Sequence, residues 1–180
     1  MQTQIQQLLG VLAIRQYEKY LGLPALVGCA KKQSFVYIKE RVWRKLWGWK
    51  EKLLSQVGRE VLIKVVIQAI PTYTMSYFKL PKGLIKELET LIRKFWWGYN
   101  RENKKVHWVK WERLCEDKER GGGGGVGFKD IKKFNDSLLA KQVWRMLNNL
   151  DSLCHRIFKA RFFPDCSILE AKDSTMGSYA

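Results

Sequence analysis

Apolar residues recur at intervals of three and four between Phe35 and Leu53. They are Phe35, Ile38, Val42, Leu46, Trp49 and Leu53. This period places all of them on one face of an α-helix. Most of the basic residues in the same stretch fall off that face, namely Lys39, Arg41, Arg44, Lys45 and Lys50. The pattern therefore predicts an amphipathic helix with a basic outer side.

Further helical patterns follow along the chain. A second helix is predicted from Gly58 to Pro71, with an apolar band buried on most of its circumference. The band consists of Val61, Leu62, Val65, Val66, Ala69 and Ile70. A third helix is predicted between Pro81 and Gly98, which suits a helix C-cap. Two more helices are predicted after Ile131, whereas the Gly and Pro residues near Tyr20 favour a hairpin. The predicted fold class is mainly α, with a short N-terminal β-hairpin.

The glycine run Gly121–Gly125, followed by Val126-Gly127, interrupts the helical patterns. A phosphate-binding loop would need a preceding strand and a Lys-Ser or Lys-Thr pair after the glycines, and both are missing. The run therefore predicts a flexible linker between two helical units. The predicted organisation is a hairpin region at 1–33, a helical bundle at 34–100, a connector at 101–127, a small helical unit at 128–170 and a frayed tail at 171–180.

The chain is strongly basic and rich in aromatic residues. Thirty-three Lys and Arg face seventeen Asp and Glu, for a formal charge of +16, and eight Trp, seven Tyr and eight Phe accompany them. Cations suit a phosphate backbone, and aromatic rings can stack on bases. Polymerases and nucleases need converging carboxylates that hold metal ions, yet the sequence has neither Asp-Asp nor Asp-x-Asp. We predict sequence-independent binding of RNA, DNA or their hybrid, without catalytic residues.

Metal, cofactor and membrane binding have little support in the sequence. The cysteines are scattered without a C-x-x-C pair, and only two histidines accompany them, so no metal site or cofactor is predicted. Cys154 and His155 are neighbours, but adjacent side chains on a helix point in different directions. No apolar run of about 18 residues and no signal-peptide layout is present. We expect an intracellular protein, nuclear or cytoplasmic, without membrane attachment.

The candidate phosphate-binding residues lie on and just before the first amphipathic helix. They are Lys31, Lys32, Lys39, Arg41, Arg44 and Lys45. A solvated basic face is the other interpretation of this pattern. Trp43, Trp47 and Trp49 cannot all face one core, so we expect at least one on the surface, where Trp47 is a candidate for nucleic-acid contact. Core or seam positions are predicted for the remaining tryptophans: Trp96, Trp97, Trp108, Trp111 and Trp144.

Several strings in the chain resemble the reverse transcriptase of plant LINE-type, non-LTR retrotransposons. They appear in the family's order over roughly 16–180. The strings are Gln16-Tyr17-Glu18-Lys19-Tyr20-Leu21-Gly22-Leu23-Pro24, Gly48-Trp49-Lys50, Leu53-Leu54-Ser55, Gly58-Arg59-Glu60-Val61-Leu62-Ile63-Lys64, Ala69-Ile70-Pro71-Thr72-Tyr73, Phe95-Trp96-Trp97-Gly98, Lys118-Glu119-Arg120-Gly121-Gly122 and Gly127-Phe128-Lys129-Asp130. One departure is the longer glycine run, where the family has Gly-Gly-Leu-Gly-Phe.

The resemblance implies that this stretch is the helical thumb and connection region that follows the palm. The family's polymerase motif, an aromatic-x-Asp-Asp loop, would precede Met1, and its Cys/His cluster would follow Ala180. In the intact enzyme the thumb closes over a template-primer duplex. By the same resemblance Tyr20, Leu21, Gly22 and Leu23 are primer-grip-like candidates, with an unpaired palm edge strand as the other interpretation. A palm supplied in trans is a further expected partner.

These observations leave three functional hypotheses open. The first is a non-catalytic piece of a reverse transcriptase that binds nucleic acid, which predicts binding that weakens steeply with salt. The second is a helical protein-interaction module, which predicts a stoichiometric complex that resists salt. The third is a non-functional retroelement remnant, which predicts poor solubility despite the high charge.

Overall fold

The computed structural model describes residues 19–24, 31–50, 54–98, 109–117 and 125–170. The fold is mainly α, as predicted. Two strands and a series of helices follow in chain order: β1 (Lys19–Tyr20), β2 (Leu23–Pro24), α1 (Lys31–Ser34), α2 (Val36–Lys50), α3 (Gln56–Leu62), a π-helical segment (Ile63–Ile67), α4 (Thr72–Met75), α5 (Lys82–Trp96), α6 (Trp111–Leu114), α7 (Ile131–Asn148) and α8 (Leu153–Phe162). Several predictions fall outside the described residues, namely those for Cys29, His107, Trp108, Gly121–Gly124 and the tail 171–180.

The predicted hairpin is present as a tight antiparallel turn. Lys19 lies opposite Pro24 and Tyr20 opposite Leu23. The two turn residues, Leu21 and Gly22, both have positive φ angles, of 50° and 80°. Positive φ at both positions matches the twist of a two-residue hairpin, and glycine adopts it without a steric penalty.

Helices α2 and α5 form the centre of the core, and each buries one side. Ile38, Val42 and Leu46 are buried on the side of α2 that packs against α5, together with Phe35 just before the helix. The facing side of α5 buries Leu84, Ile85, Leu88, Ile92 and Trp96. Gly98, with φ of 62°, follows the end of α5 in the left-handed conformation expected of a residue after a helix C-cap.

The apolar band predicted from Val61 to Ile70 is only partly buried, so this prediction was wrong. The helix begins at Gln56, where Ser55 accepts a hydrogen bond from the Gly58 N–H, and turns π-helical at Ile63. The wider i→i+5 turn, with Gln68 N donating to Ile63 O at 3.0 Å, changes which residues face inward. Ile63 and Ile67 are buried, whereas Val61 and Val65 are 51% and 65% exposed.

The start of α7 shares the core of the bundle rather than lying apart from it. Phe128 and Ile131 are buried within the same apolar cluster as α2 and α5. The predicted division between 34–100 and 128–170 stays a prediction, but the first residues of the last unit pack directly on the bundle. Further along α7 the packing is sparse, and Trp144, which we predicted to be in the core, is 64% exposed.

Buried Asn135 connects α7 to the bundle. Its Oδ1 accepts a hydrogen bond from the Leu80 N–H at 2.8 Å. Its Nδ2 donates to the carbonyl oxygens of Met75 at 2.8 Å and Phe78 at 3.0 Å. Because Asn135 is 1% exposed, these three bonds replace water for backbone groups in the turn between α4 and α5.

Candidate nucleic-acid interface

Among the described side chains of α2, three cations are exposed on its outer side, namely Arg41, Arg44 and Lys45. At about 100° per residue, Arg41 and Lys45 lie on one flank of the helix and Arg44 lies nearer the middle of its outer side. The opposite face of the helix is buried against α5. The three charges are therefore displayed on a rigid helix, so contact with a phosphate strand would not require the backbone to be ordered first.

Two tryptophans lie beside these cations on the outer side of α2. Trp43 and Trp47 stack on each other, with ring centroids 5.3 Å apart and planes inclined by 21°. They are 46% and 44% exposed. Trp49 instead packs half-buried against Phe95, at a centroid distance of 6.2 Å. The prediction that the three rings cannot share one core is confirmed, and Trp47 lies on the same outer surface as Arg44.

Lys32 and Lys39 form ion pairs with a carboxylate. Glu87 on α5 pairs with Lys32 through Oε1 and with Lys39 through Oε2, the second at 2.8 Å. Hydrogen bonds from Lys32 and Lys39 lower the pKa of Glu87 to about 2, so the carboxylate stays ionised at neutral pH. An anion of the protein therefore occupies the position where we predicted phosphate. Glu87 could not be identified from sequence, because this pairing joins residues on helices distant in sequence and leaves no local pattern.

The remaining candidates lie outside this outer surface of α2 or are not described. Leu21 and Gly22 are exposed at the tip of the hairpin, and Leu23 is half-buried. The side chains of Tyr20 and Lys31 lie outside the described residues. Their predicted roles in primer grip and phosphate contact thus stay predictions. The other candidates on α2 are Lys39, Arg41, Arg44, Lys45 and Trp47.

A second group of titratable residues surrounds Cys115. Burial raises the pKa of its thiol to about 12, and the carboxylates of Asp130, Glu89 and Glu112 add to the effect. Burial also raises the pKa of Glu89, with a further contribution from Asp130. Within the described ranges no group of three or more His, Cys, Asp or Glu has an arrangement that could hold a metal ion. The environment of Cys115 opposes formation of a nucleophilic thiolate.

We expect Cys115 to resist alkylation in the folded protein. Only the thiolate reacts readily, and a pKa raised from 9.0 to about 12 lowers the thiolate fraction at pH 8. Iodoacetamide at pH 8, followed by peptide mass mapping, should modify exposed Cys154 and Cys166 at least about 100-fold faster than Cys115. Denaturant should abolish the difference. Equal rates in the folded protein would contradict the assignment.

Among the described residues, no helix combines the length and the hydropathy that a membrane crossing needs. Helix α2 is amphipathic, with cations on its exposed side, and α7 carries several charged residues along its length. The candidate interface is accordingly a charged helical surface with two exposed aromatic rings.

Comparisons with known proteins found two relatives in Arabidopsis thaliana. The chain is 41% identical over 112 residues to the uncharacterized mitochondrial protein AtMg00310, a match that covers 62% of this chain and 71% of the relative. It is 36% identical over 140 residues to the putative ribonuclease H protein At1g65750, covering 78% of this chain. The chain spans only 22% of that second relative. No family model matches the chain, and no solved structure matches it significantly.

Proposed function

This chain belongs to the family of the uncharacterized mitochondrial protein AtMg00310 of Arabidopsis thaliana, and we propose a function for it from the exposed cations of α2 and from its resemblance to LINE-type reverse transcriptases. We propose that it is a retroelement-derived, non-catalytic protein that binds nucleic acid without sequence preference, as the thumb of a LINE-type reverse transcriptase does. The similarity to a putative ribonuclease H protein, of which it spans a fifth, supports origin from a longer polypeptide. A template-primer duplex is the proposed ligand, and a palm in trans is a proposed partner.

One observation carries this proposal: the exposed group Arg41, Arg44 and Lys45 on the rigid outer side of α2. Within the described ranges, no hydrogen bond or ion pair occupies these side chains. Cations on a preformed helix can contact successive phosphates and release counterions, a contribution that positions the protein without reading bases. Lys32 and Lys39, which pair with Glu87 on the other flank of α2, would form a second group of cations when a phosphate displaces Glu87.

The test is binding of the purified chain to a labelled RNA–DNA hybrid over a salt series. Replacing Arg41, Arg44 and Lys45 together with glutamine should weaken binding at least about tenfold at low salt. The slope of log affinity against log salt concentration should become less negative by about 1 for each lost phosphate contact. The matched control is Lys132→Gln, Lys141→Gln and Arg145→Gln on α7, which removes the same charge from another exposed surface.

Glu87→Gln should change the affinity in the opposite direction in the same assay. Removing the carboxylate frees Lys32 and Lys39 for phosphate, so affinity should rise and the salt slope should become more negative. Asp136→Asn is its control, because Asp136 pairs with Lys79 on another part of the surface at 3.4 Å. Equal effects of each variant and its control would show that the binding depends on net charge alone and not on the position of the charges. A folded chain that binds no nucleic acid would overturn the proposed function.

A further inference from the structure

Helix α8 has an inner face that packs and an outer face that does not. The inner face contains buried His155, whose ring meets Phe163 edge-on at 5.9 Å, and half-buried Phe158 and Phe162. These rings contact one another within the helix and its C-cap. The residues on the other side of α8 take no part in these contacts.

The outer face of α8 carries an apolar stripe with a cation on each side. Leu153 and Ile157, one turn apart, are 68% and 55% exposed. At about 100° per residue, Arg156 lies on one flank of this stripe and Arg161 on the other. Both arginines are exposed, and the Arg161 guanidinium also lies over the Phe162 ring at 5.6 Å. Exposed Leu150, at 59%, extends the apolar surface beyond the start of the helix.

Charge determines which occupant suits this outer face. Helix α8 contains Arg156, Lys159 and Arg161 and no acidic residue. A second copy of the chain would bring like charges together, which costs free energy at an interface. Nucleic acid would use the cations, but the exposed apolar side chains of α8 are aliphatic and offer no aromatic face for stacking on bases, since exposed Trp144 belongs to α7. Apolar side chains bordered by carboxylates match both features of the surface.

We propose that the outer face of α8 docks an acidic amphipathic helix of a protein partner. The leucine and isoleucine fit the apolar stripe of such a helix, and Arg156 and Arg161 pair with acidic residues on its two borders. This docking surface lies on a different helix from the cations of α2. The proposal therefore goes beyond nucleic-acid binding and stands independently of it.

The test measures binding of synthetic helical peptides to the full chain by fluorescence anisotropy. The probe is a peptide of about five turns with leucines at i, i+4 and i+7 and glutamates along both borders; its comparator carries lysines instead. The glutamate peptide should bind at least about tenfold tighter than the lysine peptide. Leu153→Ser with Ile157→Ser should weaken glutamate-peptide binding at least about tenfold. Arg156→Glu with Arg161→Glu should reverse the preference between the peptides.

Matched controls distinguish docking on α8 from nonspecific binding to exposed apolar side chains. Val57→Ser with Val61→Ser removes two aliphatic side chains, 69% and 51% exposed, from the surface of α3. This pair should leave peptide binding unchanged, and far-ultraviolet circular dichroism should show that every variant is folded. Equal losses in the α3 and α8 variants, or no preference for glutamate, would overturn the proposal. So would an α8 variant that loses binding to single-stranded RNA or to anionic phospholipid vesicles while peptide binding is unaffected.

Discussion

Asn135→Ala is expected to lower the free energy of unfolding by about 3–5 kcal/mol. The substitution removes the acceptor for the Leu80 N–H and the donor to the Met75 and Phe78 carbonyl oxygens. Residue 135 is buried at the junction of α7 with the turn between α4 and α5. Water cannot readily replace the lost partner. The loss of stability therefore combines the desolvation cost of three unpaired backbone groups with the cost of a small cavity.

Chemical denaturation followed by circular dichroism measures this loss. Asn148→Ala is the matched control, because Asn148 is exposed at the last residue of the same helix. It should change the free energy of unfolding by less than about 0.5 kcal/mol. A loss below about 1 kcal/mol for Asn135→Ala would show that the three hydrogen bonds do not hold α7 to the bundle.

Gly125→Ala is expected to destabilise the protein by about 2–4 kcal/mol. A Cβ atom at this position would lie 2.5 Å from the Glu116 carbonyl oxygen and 2.7 Å from that of Asp117. These are backbone atoms, so no side chain can move to relieve the overlap. Just beyond Gly125, the Val126 and Phe128 N–H groups donate to Leu114 O at 3.2 and 3.1 Å.

A shift of this segment would also disturb the core beside it. Phe128 is 2% exposed, stacks with Trp111 at a centroid distance of 5.9 Å and meets Trp96 edge-on at 5.2 Å. Moving the ring would loosen both aromatic contacts, each of which contributes about 0.5–1.5 kcal/mol beyond its buried area. The end of the glycine run is thus docked on α6, where the sequence analysis expected a flexible linker.

Gly83→Ala is the control for the glycine prediction. Gly83 lies in the first turn of α5, where an added Cβ would meet nothing within 4 Å. Alanine there should stabilise the protein by about 0.5–1 kcal/mol, because it restricts the unfolded chain and favours the helix. The midpoint of thermal or chemical unfolding should therefore fall for Gly125→Ala and rise for Gly83→Ala. Movement in the same direction would contradict the proposed steric origin.

The helices that bury one regular stripe could be predicted from sequence. In α2 the period of three and four selects the buried side, because a helix that packs on one neighbour hides one face. In α5 the predicted stripe was Leu84, Leu88, Leu91 and Phe95, of which the first two are buried and the last two half-buried. The same reasoning failed for Val61 and Val65, since the π-helical turn at Ile63 changes the register within the helix. It also failed for Trp144, because α7 extends past the elements that cover its first turns.

The sequence by itself determined that the fold is mainly α, which face of α2 is apolar and that its outer side is basic. These properties depend on residues a few positions apart, so the local chain contains the information. Only the tertiary structure decided that Glu87 neutralises Lys32 and Lys39, whereas Arg41, Arg44 and Lys45 stay exposed among the described side chains of α2. It also decided that Asn135 completes the hydrogen bonds of a distant turn. Both depend on helices far apart in sequence packing side by side, which no local pattern encodes.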